Sequence, residues 1–256
     1  PVFGGGLIEA ISDETLLRLA DPLDLDRDGV SGRAAVVEDL ATGLPRVGRF
    51  GWKAQHATLL VFGADAYRNE MGITSDLFPT EQSFGIDPEV MQLCDPLPDP
   101  EDAEEPATGL RGIDNFEAFM KFLAPLGRGF IDETVLAGER VFEAIGCAVC
   151  HVPTIKTGPS ANPLFDRRTV PLFSDLLLHD VASGDGIAQA AAAPNEIRTP
   201  ALWGLRFRRP LLHDGSAATP TEAVLAHGAE AELARAGFEQ LDQVSRAALL
   251  AFLASL

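Results

Sequence analysis

The sequence predicts a mainly α fold in which a few helices are joined by long loops organised around a bound group. Three observations lead there. Apolar residues recur at helical spacing in five segments. More than 90 residues between two of those segments show little periodicity, which is unusual in a compact domain unless something else organises them. At the start of that stretch stands Cys147-Ala148-Val149-Cys150-His151.

The elements follow in order. Ser12-Asp13-Glu14 ahead of Leu16, Leu17 and Leu19 has the signature of a capped helix start. Trp52, Ala57, Leu60, Val61, Ala64 and Tyr67 predict a helix over 52–71. Phe116, Phe119, Met120 and Leu123 form one stripe over 114–124. Val135, Leu136, Val141, Phe142 and Ile145 define another over 132–146, and Val244, Leu249, Leu250, Phe252, Leu253 and Leu256 a last one over 243–256. The acidic, Pro-rich residues 98–109 read as a linker or surface loop, and the Ala run 190–193 as a loop or a helical turn. A break over Pro125–Gly129 divides the chain into residues 1–129 and 130–256.

Composition narrows the function classes. The chain has 256 residues, 46% hydrophobic and 23% charged, a globular composition. Lys and Arg number 20 against 38 Asp and Glu, a net charge of −18. That excludes nucleic acid, which needs clustered cations, and an anionic membrane surface, and leaves a cationic partner open. No apolar run reaches the ~18 residues of a membrane-spanning helix. The start, Pro-Val-Phe, has neither Met nor a basic leader and reads as a mature or trimmed product. Three cysteines exclude a disulfide-stapled scaffold.

Cys147, Cys150 and His151 carry the chemistry. C-x-x-C-H is the attachment signature of haem c: the two thiols add to the porphyrin vinyl groups, and the adjacent His falls under the iron as proximal ligand. A thioredoxin-type pair needs a preceding strand, whereas an amphipathic helix precedes this one. A zinc site needs a second ligand pair, and no second C-x-x-C exists. Covalent haem attachment occurs outside the cytoplasm, so a periplasmic bacterial protein is expected. The sixth ligand is open among His56, His179, His213, His227, Met71, Met91 and Met120. Just upstream, Gly138 lies four residues before Phe142 and makes a flat patch where the terminal helix, with Phe252 and Leu253, can cross closely. This arrangement resembles the cytochrome c fold.

The resemblance extends over nearly the whole chain. Phe3 to Ile11, Asp26 to Arg33, Gly48 to Ala54, Met71 to Ser75, Ser174 to Asp180 and Arg198 to Gly228 make it similar to the bacterial dihaem cytochrome c peroxidases. It is closer still to the dihaem oxidoreductase family of peroxidase type, also labelled thiol oxidoreductase. In the peroxidases a Met fourteen residues after the histidine of a His-Asp-Gly motif ligates the iron. Here that histidine is His213 and the fourteenth residue is His227. The resemblance therefore implies His227 as distal ligand and His213 as a loop anchor. It implies Arg198 near a haem propionate, where a guanidinium can pair bidentately, and Trp203 at the haem edge. It also makes Trp52 a candidate electron path, equal in weight to a core Trp.

Two departures stand out. The family carries two haems, and this chain has one attachment motif. Residues 115–123 look like the last helix of a first cytochrome c-like domain, so 1–129 reads as the latter part of such a domain, incomplete or degenerate. Residues 130–256 read as a whole haem domain. The second haem would then belong to a missing N-terminal segment or a separate polypeptide, or be lost. Cys94 has no partner in the sequence, and in an oxidising compartment it bonds to missing chain or sits buried. Asp24, Asp26, Asp28 and Gly29 match the start of a calcium loop, although the closing Glu is replaced by Ala35. Three functions fit: an electron-transfer module of a dihaem oxidoreductase with a bis-His haem and a redox partner, for which a basic protein would suit the charge; a single-haem peroxidase with an open iron; or a non-catalytic haem subunit of a larger complex.

Overall fold

A computed structural model describes residues 2–82, 85–94 and 99–256. Its helices are α1 (Gly5–Glu9), α2 (Asp13–Leu19), α3 (Leu59–Ala66), α4 (Pro88–Cys94), α5 (Gly112–Phe122), α6 (Glu133–Ala144), α7 (Pro220–Leu225), α8 (Glu232–Gln240) and α9 (Gln243–Leu253). Three antiparallel ribbons stand between them: β1 (Val36–Asp39) with β2 (Leu44–Val47), β3 (Ile155–Lys156) with β4 (Thr169–Val170), and β5 (Leu178–Asp180) with β6 (Glu196–Arg198). Helix accounts for 37% and strand for 11%, so turns and loops make up over half of the chain. None of these helices is long and apolar enough to cross a membrane.

Helix starts follow side-chain capping. Ser12, Thr58, Asp132, Thr219 and Asp242 each accept a hydrogen bond from a backbone N–H three residues on, satisfying a donor the helix leaves free. The apolar stripes at 114–124, 132–146 and 243–256 become α5, α6 and α9. The helix expected over 52–71 starts only at Leu59. Gly51 and Ala54 adopt left-handed backbone (φ 79° and 51°), and Phe50 bridges back to His56, so residues 50–57 form a tight loop. The periodicity of Trp52 and Ala57 was accidental to that loop. The aperiodic stretch holds α7, α8 and two ribbons, and the Ala run at 190–193 is a turn closed by a Gln189–Ala192 bridge. Pro98, at the head of the acidic segment 98–109, lies outside the described residues.

Two apolar cores lie side by side. In one, α6 crosses α9. Phe142 and Phe252 pack at 5.1 Å between ring centroids, and Phe173 meets Phe252 edge-on at 5.5 Å. Such aromatic pairs add about 0.5–1.5 kcal/mol beyond the area they bury. The crossing is possible because Gly138 has no side chain: a Cβ there would run into the carbonyl oxygen of Ala248 and lie 2.8 Å from Phe252 Cβ. The other core gathers Ile8 and Ile11 near α1, Leu16 of α2, Leu59 of α3 and Met120 of α5. It also takes Ile155, Val170, Leu172, Leu176 and Trp203 from beyond residue 130. Both cores therefore use the later half of the chain, and the loop 172–176 runs between them.

Gly138→Ala should destabilise the protein by about 1–3 kcal/mol, because α6 and α9 must separate to admit the methyl group. A urea titration followed by circular dichroism measures it; an unchanged midpoint would show that the crossing tolerates a side chain.

Candidate functional site

Helix α6 delivers the C-x-x-C-H segment. The helix ends at Ala144, and Gly146 turns the chain with φ 90°, a conformation that costs a residue with a Cβ more than it costs glycine. Cys147–Val149 then form a single 3-10 turn, closed by Cys150 N–H donating to the Cys147 carbonyl, which also accepts from His151 N–H at 3.0 Å. The turn faces a cavity of about 550 Å³ lined mostly by apolar side chains, among them Phe142, Leu202, Leu205, Leu249 and Leu253. Cys147, Cys150, His151, Arg198, His213 and His227 line the same cavity. Burial raises the thiol pKa of Cys147 to about 12 and also lifts that of Cys150, so both are held as neutral thiols.

The two histidines are oriented alike. His151 Nδ1 donates to the Phe173 carbonyl at 3.0 Å, and His227 Nδ1 donates to the Ala223 carbonyl at 2.6 Å. A carbonyl only accepts, so the proton is fixed on Nδ1 in both rings and the lone pair on Nε2. Burial pushes His151 down to about 4, His227 nearby adds to the shift, and burial lowers His227 as well. Both are thus neutral imidazoles with an unengaged Nε2, the form that binds a metal. The carbonyl on the far nitrogen is the outer contact that orients such a ligand.

The cavity also holds unpaired positive charge. Arg198 stands on β6 opposite Leu178. It donates to the carbonyls of Gly51 at 2.8 Å and Thr199 at 2.9 Å and has no ion-pair partner among the described residues. Burial lowers its pKa to about 10, so it stays cationic at neutral pH. Arg208, also on the lining, donates to the carbonyls of Ala201 and Trp203 and likewise has no carboxylate partner among the described residues. A flat, apolar group carrying two carboxylates, with a metal between two imidazoles, matches this donor set. Haem c fits on apolar walls, paired thiols, two Nε2 lone pairs and cations without counter-ions.

Not every expected residue arrives there. Trp203 does not line the cavity. Its indole is 6% exposed within the core that holds α1, against Gly4 and apart from the site its neighbours Leu202 and Leu205 reach. Trp52 does line the cavity, 40% exposed, with its ring 6.2 Å from that of His213. The Nε2 of His213 is buried without a hydrogen-bond partner and lies 4.0 Å from Asp185, which Lys53 holds at 2.8 Å. Asp24 and Asp26 converge with Asp21, whereas Asp28 lines the cavity; Asp21 takes the place that spacing gave to Asp28. His56 is turned away to Asp65, and Cys94 is exposed at the end of α4. Sequence reasoning missed Arg208, although an arginine-rich run at 206–209 in so acidic a chain was a usable signal. It also missed the pairing of His179 with Asp175 and Glu230, which no spacing announces.

Residues 1–256 match the family model described as "Di-haem oxidoreductase, putative peroxidase". No curated protein matches the chain. Among solved structures it is similar to a MauG-like protein associated with microbial copper homeostasis. That match has 18% identity and a TM-score of 0.44, covering 100% of this chain and 89% of the other. It is also similar to hydrazine synthase of Kuenenia stuttgartiensis, with 20% identity and a TM-score of 0.38, covering 56% of this chain. The match spans about half, 55%, of that hydrazine synthase chain.

Trp203→Ala should cost about 3–5 kcal/mol in stability, as buried aromatic truncations do, yet leave the Soret band of the haem-loaded protein where it is. A shifted band would put the indole back at the haem edge.

Proposed function

The chain belongs to the di-haem oxidoreductase family, and from that premise we propose that it is a c-type cytochrome module passing electrons through one covalently attached haem with two histidine ligands. The observation that carries this reading is the matched pair of neutral histidines, each with Nδ1 tied to a carbonyl and Nε2 turned to one cavity. Haem supplies a one-electron couple whose potential its protein surroundings set. The residues divide the remaining work. Cys147 and Cys150 would hold the group through thioethers, His151 and His227 would ligate its iron through Nε2, and Arg198 and Arg208 would neutralise its propionates. The apolar walls exclude water, which favours the less charged reduced state.

With both histidines as ligands the iron would offer peroxide no open position, so the peroxidatic step of the family would fall to a second haem. That haem has no attachment motif in residues 1–256, and another segment or polypeptide would hold it. We take residues 130–256 as the haem-bearing unit and 1–129 as the remainder of a first cytochrome c-like unit. Covalent attachment supports a periplasmic location, and a net charge of −18 supports a basic redox partner steered by long-range attraction.

Intact mass with haem quantitation should give one covalent haem per chain; a haem-free chain after maturation in a cytochrome c-competent host would sink the reading. The ferric protein should be low-spin and unaltered by peroxide, and His227→Ala should turn it high-spin. An unchanged low-spin spectrum in that variant would exclude His227 as the ligand.

A further inference from the structure

One buried charged cluster is used by nothing described so far. His179 of β5 is 2% exposed. Its Nε2 lies 2.8 Å from Asp175 Oδ2 and its Nδ1 lies 2.9 Å from Glu230 Oε2. Two carboxylate acceptors on two ring nitrogens require both nitrogens to donate, so the ring is an imidazolium. Burial alone would lower its pKa, but the bonds to Asp175, to the Cys150 sulfur and to Glu230 raise it to about 12. Next to two histidines kept neutral, this third one is kept charged.

The two carboxylates belong to different sides of the site. Asp175 N–H donates to the Cys150 carbonyl at 2.9 Å, and Ser174 N–H to the Val152 carbonyl at 2.9 Å. Two residues before Asp175 is Phe173, whose carbonyl orients His151. Asp175 thus rides on the segment that sets the proximal imidazole. Glu230 lies three residues after His227. Its carboxylate also accepts from Ser31 N–H at 3.0 Å and Asp180 N–H at 3.2 Å, while Gly228 N–H donates to the Val181 carbonyl at 3.0 Å. The loop carrying His227 is therefore fastened to β5 just beyond the histidine.

We propose that Asp175, His179 and Glu230 form a buried ionic strap that holds the distal-ligand loop against the attachment segment and so positions His227 toward His151. The inference rests on reading those two histidines as axial ligands. A hydrogen-bonded charged triad fixes angles as well as distances, which an apolar contact of the same volume does not. Contacts one step outside a metal's ligands typically change metal affinity or activity by about 10–100-fold when removed. His179, Asp175 and Glu230 are positioning residues, acting through His227 and His151 without touching the iron.

The test uses the haem-loaded protein, well below the melting temperature of each variant. Ferric spectra and the affinity for added imidazole are measured for the wild type, Glu230→Gln and His179→Gln, with Trp203→Ala as a destabilised control whose side chain makes none of the strap's hydrogen bonds. The wild type and control should be low-spin. Both strap variants should gain a high-spin fraction and bind imidazole about tenfold or more tightly than the wild type, with unchanged haem content. If either fails to accumulate, Asp175→Asn, which keeps the side-chain shape, carries the same expectation. Low-spin variants with wild-type imidazole affinity would overturn the strap alone, even if their melting temperatures fell. A high-spin wild type would overturn the axial reading and the strap with it.

Discussion

The crossing of α6 over α9 at Gly138 is the constraint from which the site is built. It fixes the direction in which α6 ends, and hence where Gly146 turns the chain and where the two thiols and His151 emerge. Phe142, Phe173 and Phe252 pack around that crossing. Phe173 then serves twice: its ring fills the core and its carbonyl orients His151. A shift of α6 would move the C-x-x-C-H turn and the carbonyl that orients His151 apart, so core packing and the geometry of the site are one problem here.

Three histidines beside one cavity hold two different charges, and their surroundings explain the difference. His151 and His227 are buried against carbonyl acceptors, which fix a tautomer but offer no negative charge, so desolvation wins and the rings stay neutral. His179 is the most deeply buried of the three, 2% exposed, but lies between two carboxylates, and their attraction outweighs the desolvation. The guanidinium of Arg198 is the counterpart: held by two carbonyls, it has no anionic partner among the described residues.

Much of this was legible in the sequence. The C-x-x-C-H motif announced two thiols and a histidine on one short turn because the five residues are consecutive. Helices α5, α6 and α9 were legible because their stripes repeat at helical period. The start of α3 was not, because the loop at 50–57 is held by left-handed residues and a bridge that composition does not reveal. Asp28 was misplaced for a similar reason. Spacing along the chain treats alternate aspartates as facing one way, whereas the turn from Asp21 gathers Asp21 with Asp24 and Asp26. Trp203 went to the other core because its neighbours Leu202 and Leu205 took the cavity side.

The sequence by itself determined the paired thiols with their adjacent histidine, the acidic net charge and the principal C-terminal helices, since each follows from composition, from residues adjacent in the chain or from a fixed period. Only the tertiary structure decided which distant groups meet. It brought His227, Arg198 and the pairing of His179 with Asp175 and Glu230 to one cavity. Those depend on backbone hydrogen bonds that tie Ser174 and Asp175 to Val152 and Cys150, and Gly228 to Val181. Such contacts have no sequence period, because every residue type offers the same N–H and C=O to form them.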